Sequence, residues 1–405
     1  MGHMKALGAG VLVLALSACG VEQDEFASAV PDYDGLSLEV QGGDAAALTV
    51  RSTALAASGD VPGTDLDAAR ERIQALNGAV RALLEPAAAL VRREGAPAPD
   101  DARVYGPANR CVETPGGCVD ATFVLAVRRE AQNVFAWVLA VRPADSTGDF
   151  LPVAGGRMAR GPAAHRGLGQ LAFNLENLRT VVPAYAGQGY LLAGYANGER
   201  AKAVRYHLLG FTPDAAAVDP VTAAFVGYRT AGGLARVRVA RIDDYVAPED
   251  PAATSTDELA FLHATWHPDI GGRVFAVVTN FADGQGGFSG DVPGTPADGF
   301  YYFGRACTDA AGVVLYKQWF HCPRVDALGN PRGPAWCVFS GAGTEYPPVV
   351  GTGTWAESCA DLPDELEEPA DPPAGSPIDG SDEPGTSGAG APEDPPAGPA
   401  AVGAG

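Results

Sequence analysis

Val134-Phe-Ala-Trp-Val-Leu-Ala-Val141 sets Phe135, Trp137, Leu139 and Val141 on one side of an extended chain and Val134, Ala136, Val138 and Ala140 on the other. Side chains of a strand alternate between its two faces, so this strand is apolar on both. It is expected to be covered on both sides, on one of them by a helix. Asp120 to Arg129 precedes it across a short polar link, which reads as a hairpin. Downstream the same kind of segment recurs: Gln170 to Leu175, Gly189 to Tyr195, Ala201 to Phe211, Ala223 to Arg229, Leu234 to Ile242, Leu259 to Trp266, Val274 to Asn280, Gly299 to Ala306 and Val313 to Phe320. Asn197-Gly198 is a strong two-residue turn signal, and Ala231-Gly232-Gly233 separates another pair. In Leu234 to Ile242, Arg236 and Arg238 alternate with Val237 and Val239, so that pair has one wet face. The connections are of hairpin length and carry no helical pattern, which points to antiparallel pairing and away from a parallel α/β sheet. The expected fold is mainly β: an antiparallel meander forming a curved sheet, a barrel or a sandwich, with one long amphipathic helix near the N-terminus.

That helix is expected from Asp65 to Glu94. Thr64 or Asp65 caps it, and Asp67 adds negative charge to its first turn. Leu66, Ile73, Val80 and Ala87 repeat every seven residues beside Ala69, Leu76, Leu83 and Leu90, making one apolar stripe with Arg70, Arg81 and Arg92 elsewhere. The stripe suits the chain's own sheet better than a coiled-coil partner. Pro86 lacks an N–H and clashes one turn back, so it should kink the helix or split it. Ahead of the helix, Leu36–Val40 and Ala47–Arg51 read as two short strands around Gly42-Gly43-Asp44. Residues 36–360 form the β-rich globular region, with 246–257, rich in Pro, Thr, Ser and acid, as a long loop or a boundary. Residues 361–405 hold eleven Asp and Glu and no Lys or Arg. Their Pro, Gly, Ala, Ser and acid composition cannot bury enough apolar surface to offset its ordering entropy, so a disordered tail is expected.

At the other end, one basic residue, Lys5, precedes an apolar run from Ala6 to Leu16 and then Leu16-Ser17-Ala18-Cys19. The run is shorter than the ~20 apolar residues a membrane span needs and has the proportions of a signal peptide. Small residues followed directly by Cys resemble the lipobox of bacterial lipoproteins. The resemblance covers about the first twenty residues. It implies a signal peptide over 1–18, cleavage before Cys19, acylation of that cysteine, and a membrane-held chain with 19–35 as a flexible tether. Gly20 and Val21 give no acidic retention signal, and by resemblance to Gram-negative lipoproteins this implies the outer membrane within the cell envelope.

The chain is acidic, with a formal charge of −21 and a pI near 4.6. That weighs against nucleic acid and against electrostatic docking to anionic lipid, both of which call for Lys and Arg. With Cys19 assigned to lipid, Cys111, Cys118, Cys307, Cys322, Cys337 and Cys359 remain, an even number that reads as disulfides in an exported protein. Cys111–Cys118 is the preferred pair, because Thr114-Pro115-Gly116-Gly117 turns the chain between them. The other four, crowded into 307–359, are expected to pair among themselves.

Chemistry is sparse. His263 and His267, with Asp269 beyond, have the i, i+4 spacing of a metal pair on a helix, but the local pattern is a strand. There i and i+4 lie about 13 Å apart, too far to share an ion. Asp283-Gly-Gln-Gly-Gly-Phe-Ser-Gly-Asp291 is an oxygen-rich glycine loop of a kind that holds calcium, without a recognisable spacing. Both are weak metal candidates. No Gly-x-Ser-x-Gly, dinucleotide fingerprint or P-loop occurs, and no catalytic residue and no cofactor are assigned. Sixteen aromatics are spread through the later strands, Tyr190, Tyr195, Tyr206, Phe211, Phe225, Tyr228, Phe261, Trp266, Phe275, Phe300, Tyr301, Tyr302, Phe303, Tyr316, Trp319 and Phe320. They either fill a β core or line an apolar ligand cavity. The expected function is a non-enzymatic, envelope-anchored lipoprotein serving as a binding or scaffold module. Its alternatives are a carrier of a lipid or other apolar ligand and a cryptic metal-dependent hydrolase. The expected partners are the membrane, through the N-terminal lipid, and an envelope protein or apolar ligand.

Overall fold

The computed structural model describes residues 24–38, 66–161, 163, 166–212, 221–243, 258–280, 300–310, 313–323, 344–350, 354 and 358–359. Within them, hairpin follows hairpin. Fifteen strands form one antiparallel sheet in which spatial order equals chain order. They are β1 (Ala96–Ala98), β2 (Ala102–Thr114), β3 (Gly117–Ala131), β4 (Val134–Pro143), β5 (Leu151–Arg160), β6 (Gly167–Asn174), β7 (Gln188–Asn197), β8 (Ala201–Thr212), β9 (Val221–Thr230), β10 (Ala235–Asp243), β11 (Glu258–His267), β12 (Gly271–Asn280), β13 (Phe300–Asp309), β14 (Val314–Pro323) and β15 (Thr344–Val350). The sheet is open: among the described residues β1 and β15 do not pair. The barrel and the two-sheet sandwich are therefore corrected to a single meander. On its apolar face the helix lies over β2 and β3, and the N-terminal segment lies against β5 and β7.

One face holds the core. Tyr105, Leu125, Trp137, Leu139, Met158, Leu191, Tyr206, Val237 and Val274 all lie on it and are buried. β4 is as the sequence implies, with Phe135, Trp137, Leu139 and Val141 buried on that side and Val138 and Ala140 on the other. Pairing runs unbroken from Asp243↔Glu258 onward, so the sheet continues on either side of 246–257, which itself lies outside the described residues.

The helix α2 spans Leu66–Val91 and continues through Pro86 without splitting. It is not N-terminal: residues 24–38 precede it and pack on the sheet. Its buried face holds Ile73, Leu76, Ala79, Val80, Leu84, Ala87 and Leu90. Leu83 of the expected stripe is only half-buried although Leu76 and Leu90 on either side of it are buried, because it borders an open space between helix and sheet.

The expected tether over 19–35 is corrected from Asp24 onward. Asp24 and Glu25 pair with Arg103 and Arg129. Phe26 packs edge-on against Phe135 at 5.6 Å, and Ala29 and Val30 are buried. The short helix α1 (Tyr33–Leu36) is capped by Asp32, whose side chain accepts from the Gly35 N–H at 2.7 Å. Leu36 is helical, not the start of a strand. Its carbonyl accepts from the Tyr206 hydroxyl, and Lys202 donates to Asp34 O and, at 2.9 Å, to Ser37 Oγ. The Leu38 N–H donates to the Asn77 side chain of α2 at 2.9 Å, tying segment and helix together. The strand expected at Ala47–Arg51, and the tail over 361–405, lie outside the described residues.

Candidate functional site

Between α2 and the sheet lies a cavity of about 420 Å³. Ala79, Leu83 and Pro86 form its roof. Phe123, Leu139, Val153, Ala154 and Phe173, from β3 to β6, form its floor. A third wall is the helix α3 (Leu175–Val181), which contributes Leu175 and Leu178, with Tyr185 beyond it. α3 is a product of one cap: the Asn174 side chain accepts from the Asn177 N–H at 3.1 Å, which closes its first turn. The Asn177 amide then donates to Pro152 O at 2.8 Å, fastening α3 over β5. The fourth side is the tip of the β2–β3 hairpin, Cys111 to Pro115. Glu113, exposed at that tip, is the one charged residue of the lining. The volume falls in the ~300–1,000 Å³ range of small-molecule sites, and apolar walls with few polar groups at one end are their usual character.

The rim is stapled. Cys111 is bonded to Cys118 across the β2–β3 hairpin, and Thr114 Oγ1 donates to Gly117 O at 2.6 Å within its turn. Cys307 is bonded to Cys359 far from the cavity, where the two pack with Tyr316 in a small core of their own. Cys322 falls in β14 and Cys337 outside the described residues, as does Cys19.

None of the sixteen aromatics singled out in the sequence lines this cavity. Tyr195, Tyr206, Phe211, Phe225 and Trp266 are buried within the sheet's main core. The ring-bearing residues of the cavity, Phe123, Phe173 and Tyr185, were not singled out. Phe123 and Phe173 sit in strands whose alternation was visible, but only the three-dimensional placement of α2 and α3 leaves space above them.

The metal candidates are not assembled. His263 and His267 occupy one strand, β11, opposite Phe275 and Gly271. The ring of His267 lies 3.1 Å from Gly232 O, and that of His263 3.5 Å from Thr265 Oγ1. Burial, then Arg238 and Arg236, lower the His263 pKa to about 4, so its ring is neutral near pH 7. Asp283 and Asp291 lie outside the described residues. Among the described residues no three His, Cys, Asp or Glu side chains come together as a metal site would require.

No family model, no curated protein and no solved structure matches this chain.

Among the described residues, no helix is long and apolar enough to cross a membrane.

Proposed function

We propose that the chain is a non-enzymatic, envelope-anchored binding module that holds an apolar ligand in the cavity between α2 and β3–β6. The observation that carries this is the cavity itself: about 420 Å³, walled by aliphatic and aromatic side chains, with Glu113 its single charge, at the hairpin tip. Of the two binding readings the sequence allows, scaffold and carrier, the cavity favours the carrier. The anchor rests on the lipobox resemblance of Leu16-Ser17-Ala18-Cys19.

Covalent geometry then orients the module. Asp24 is fixed to Arg103, near the start of β2, whereas the cavity rim sits at the far end of β2. The roughly eleven residues between Arg103 and Thr114 span about 35 Å at ~3.4 Å each. Cys19 stands five residues before Asp24, a reach of at most about 18 Å. An acylated Cys19 therefore holds the end of β2 opposite the cavity to the membrane, and the rim faces away from it. The ligand of such a module is exchanged on the aqueous side.

The test is native mass spectrometry of the mature chain, made in an oxidising compartment with Cys19 replaced, before and after denaturation. A native mass exceeding the denatured one by a few hundred daltons, together with stoichiometric binding of a fluorescent fatty acid, is the expected result. A bare native mass and no binding of the fatty acid would overturn the reading.

A further inference from the structure

The outward face of β5–β8 carries a second depression, of about 320 Å³, on the side of the sheet away from α2. Register places Arg157, Gln170, Gly194 and Arg205 in one straight row across the four strands. Gly155 and Ala172 continue beside it in the next row, which ends at Leu192 and His207. Gly155, Ala172 and Gly194 give a floor almost without side chains, with Arg157 and Arg205 at the two ends of the row and Gln170 within it.

Three observations bear on what this depression would take. First, none of the four strands contains an Asp or Glu, in a chain whose formal charge is −21. Second, Arg157, Gln170 and Arg205 all line the depression. Arg157 pairs with Glu130 through Nε at 2.7 Å, which leaves its two terminal amino groups for another acceptor, and the Gln170 amide stands one strand away. Third, Arg205 is only 8% exposed although it lies on the outward face. Arg205 and His207 also make contacts within the chain, but a guanidinium carries five N–H donors, and a planar fork suits bidentate binding of an oxyanion.

We propose that this groove binds the phosphate group of a small molecule or lipid headgroup, gripped between Arg157 and Arg205 over the Gly155–Ala172–Gly194 floor. The site is independent of the apolar cavity, which lies on the other side of the sheet.

The experiment is titration calorimetry of the mature full-length chain with Cys19 replaced, using inorganic phosphate, alongside flotation of the same protein with phosphatidylcholine vesicles with and without phosphatidylglycerol. One phosphate per chain is expected, with ~10-fold or greater weakening for Arg157→Gln and for Arg205→Gln, since hydrogen bonds to charged groups are the strong ones. Arg157 is exposed enough to be replaced without disturbing the core, so Arg157→Gln decides the matter should Arg205→Gln misfold. Vesicle binding that requires phosphatidylglycerol and is lost in Arg157→Gln, without binding of free phosphate, supports the site and assigns its ligand to a lipid headgroup. Binding of neither, or binding that both variants retain, overturns the proposal.

Discussion

The Asp24 carboxylate accepts from Arg103 at 2.9 Å and from the Tyr105 hydroxyl at 2.6 Å. Tyr105 is fully buried, and burial followed by this carboxylate raises the pKa of its phenol. Asp24→Ala should therefore do more than cut a surface pair. It strands a buried hydroxyl, a loss of about 2 kcal/mol. Tyr105→Phe should cost about 1 kcal/mol, because it removes the buried donor together with the bond. In urea denaturation, the double variant should cost clearly less than the sum of the two singles, since both remove one hydrogen bond. Additive losses would show that Asp24 acts through Arg103 alone.

The two disulfides should differ in worth. Cys111–Cys118 closes a loop of seven residues' separation and Cys307–Cys359 one of fifty-two. In the chain-entropy account, cross-linking restricts the unfolded chain more as the loop lengthens, giving about 2.5 kcal/mol for the first and about 4 for the second. Cys307→Ser/Cys359→Ser should lower stability more than Cys111→Ser/Cys118→Ser. The latter should instead weaken binding of an apolar probe, since Cys111 borders the cavity. Equal losses of stability with unchanged probe binding would contradict both statements.

β5 shows where the sequence misleads. Leu151-Pro-Val-Ala-Gly-Gly-Arg-Met158 carries a proline and two glycines and is not among the expected strands, yet it pairs on both sides within the sheet. Gly156 is there for space: a Cβ would sit 2.5 Å from Gln170 O and 3.0 Å from Trp137 Nε1. Gly156→Val should thus destabilise by several kcal/mol, as overpacking beside a fully buried indole does, and near-ultraviolet circular dichroism should report the disturbed Trp137. An unchanged melting temperature would mean the strand shifts freely. The hairpin meander itself was legible, because alternation and turn residues are local properties. Openness of the sheet was not legible, since it depends on whether distant edge strands meet. β15, with Pro347-Pro348, and α3, which rests on the Asn174 cap, were equally invisible as patterns.

The cavity was legible only as one of two readings of the later aromatics, and Tyr195, Tyr206, Phe211, Phe225 and Trp266 take the other, filling the core. The cavity exists because α2 places Ala79 and Ala82 above the β3–β6 floor and α3 stands off to one side. Small roof residues leave a gap that larger ones would close. Leu83 lines that gap while half-buried. Leu83→Trp should fill it, reducing binding of a fluorescent fatty acid ~10-fold or more with little change in melting temperature. The contrasting Leu84→Ala, at a buried helix position outside the cavity lining, should cost about 2–5 kcal/mol and leave the fatty-acid stoichiometry unchanged. A variant Leu83→Trp that binds as the parent does would place the ligand elsewhere.

His263 gives the sheet a dependence on pH. Its pKa is lowered to about 4 by burial and by the neighbouring Arg238 and Arg236, against about 6.5 in an unfolded chain. The groups facing it are those two arginines from β10, Thr265 on its own strand, and Phe275 across β12. None of them is an acid that would stabilise the imidazolium. Between the two pKa values the unfolded chain binds a proton that the folded chain refuses. The contribution is accordingly intact above pH 6.5 and is lost as pH falls toward 4, at up to about 1.4 kcal/mol per pH unit. Carboxylates titrate in the lower part of that window, so the test is a difference. Urea denaturation of the parent and of His263→Gln at pH 7 and pH 5 should show the parent losing about 1–2 kcal/mol more than the variant. Identical losses would mean that the ring takes up its proton in the folded sheet as readily as in water.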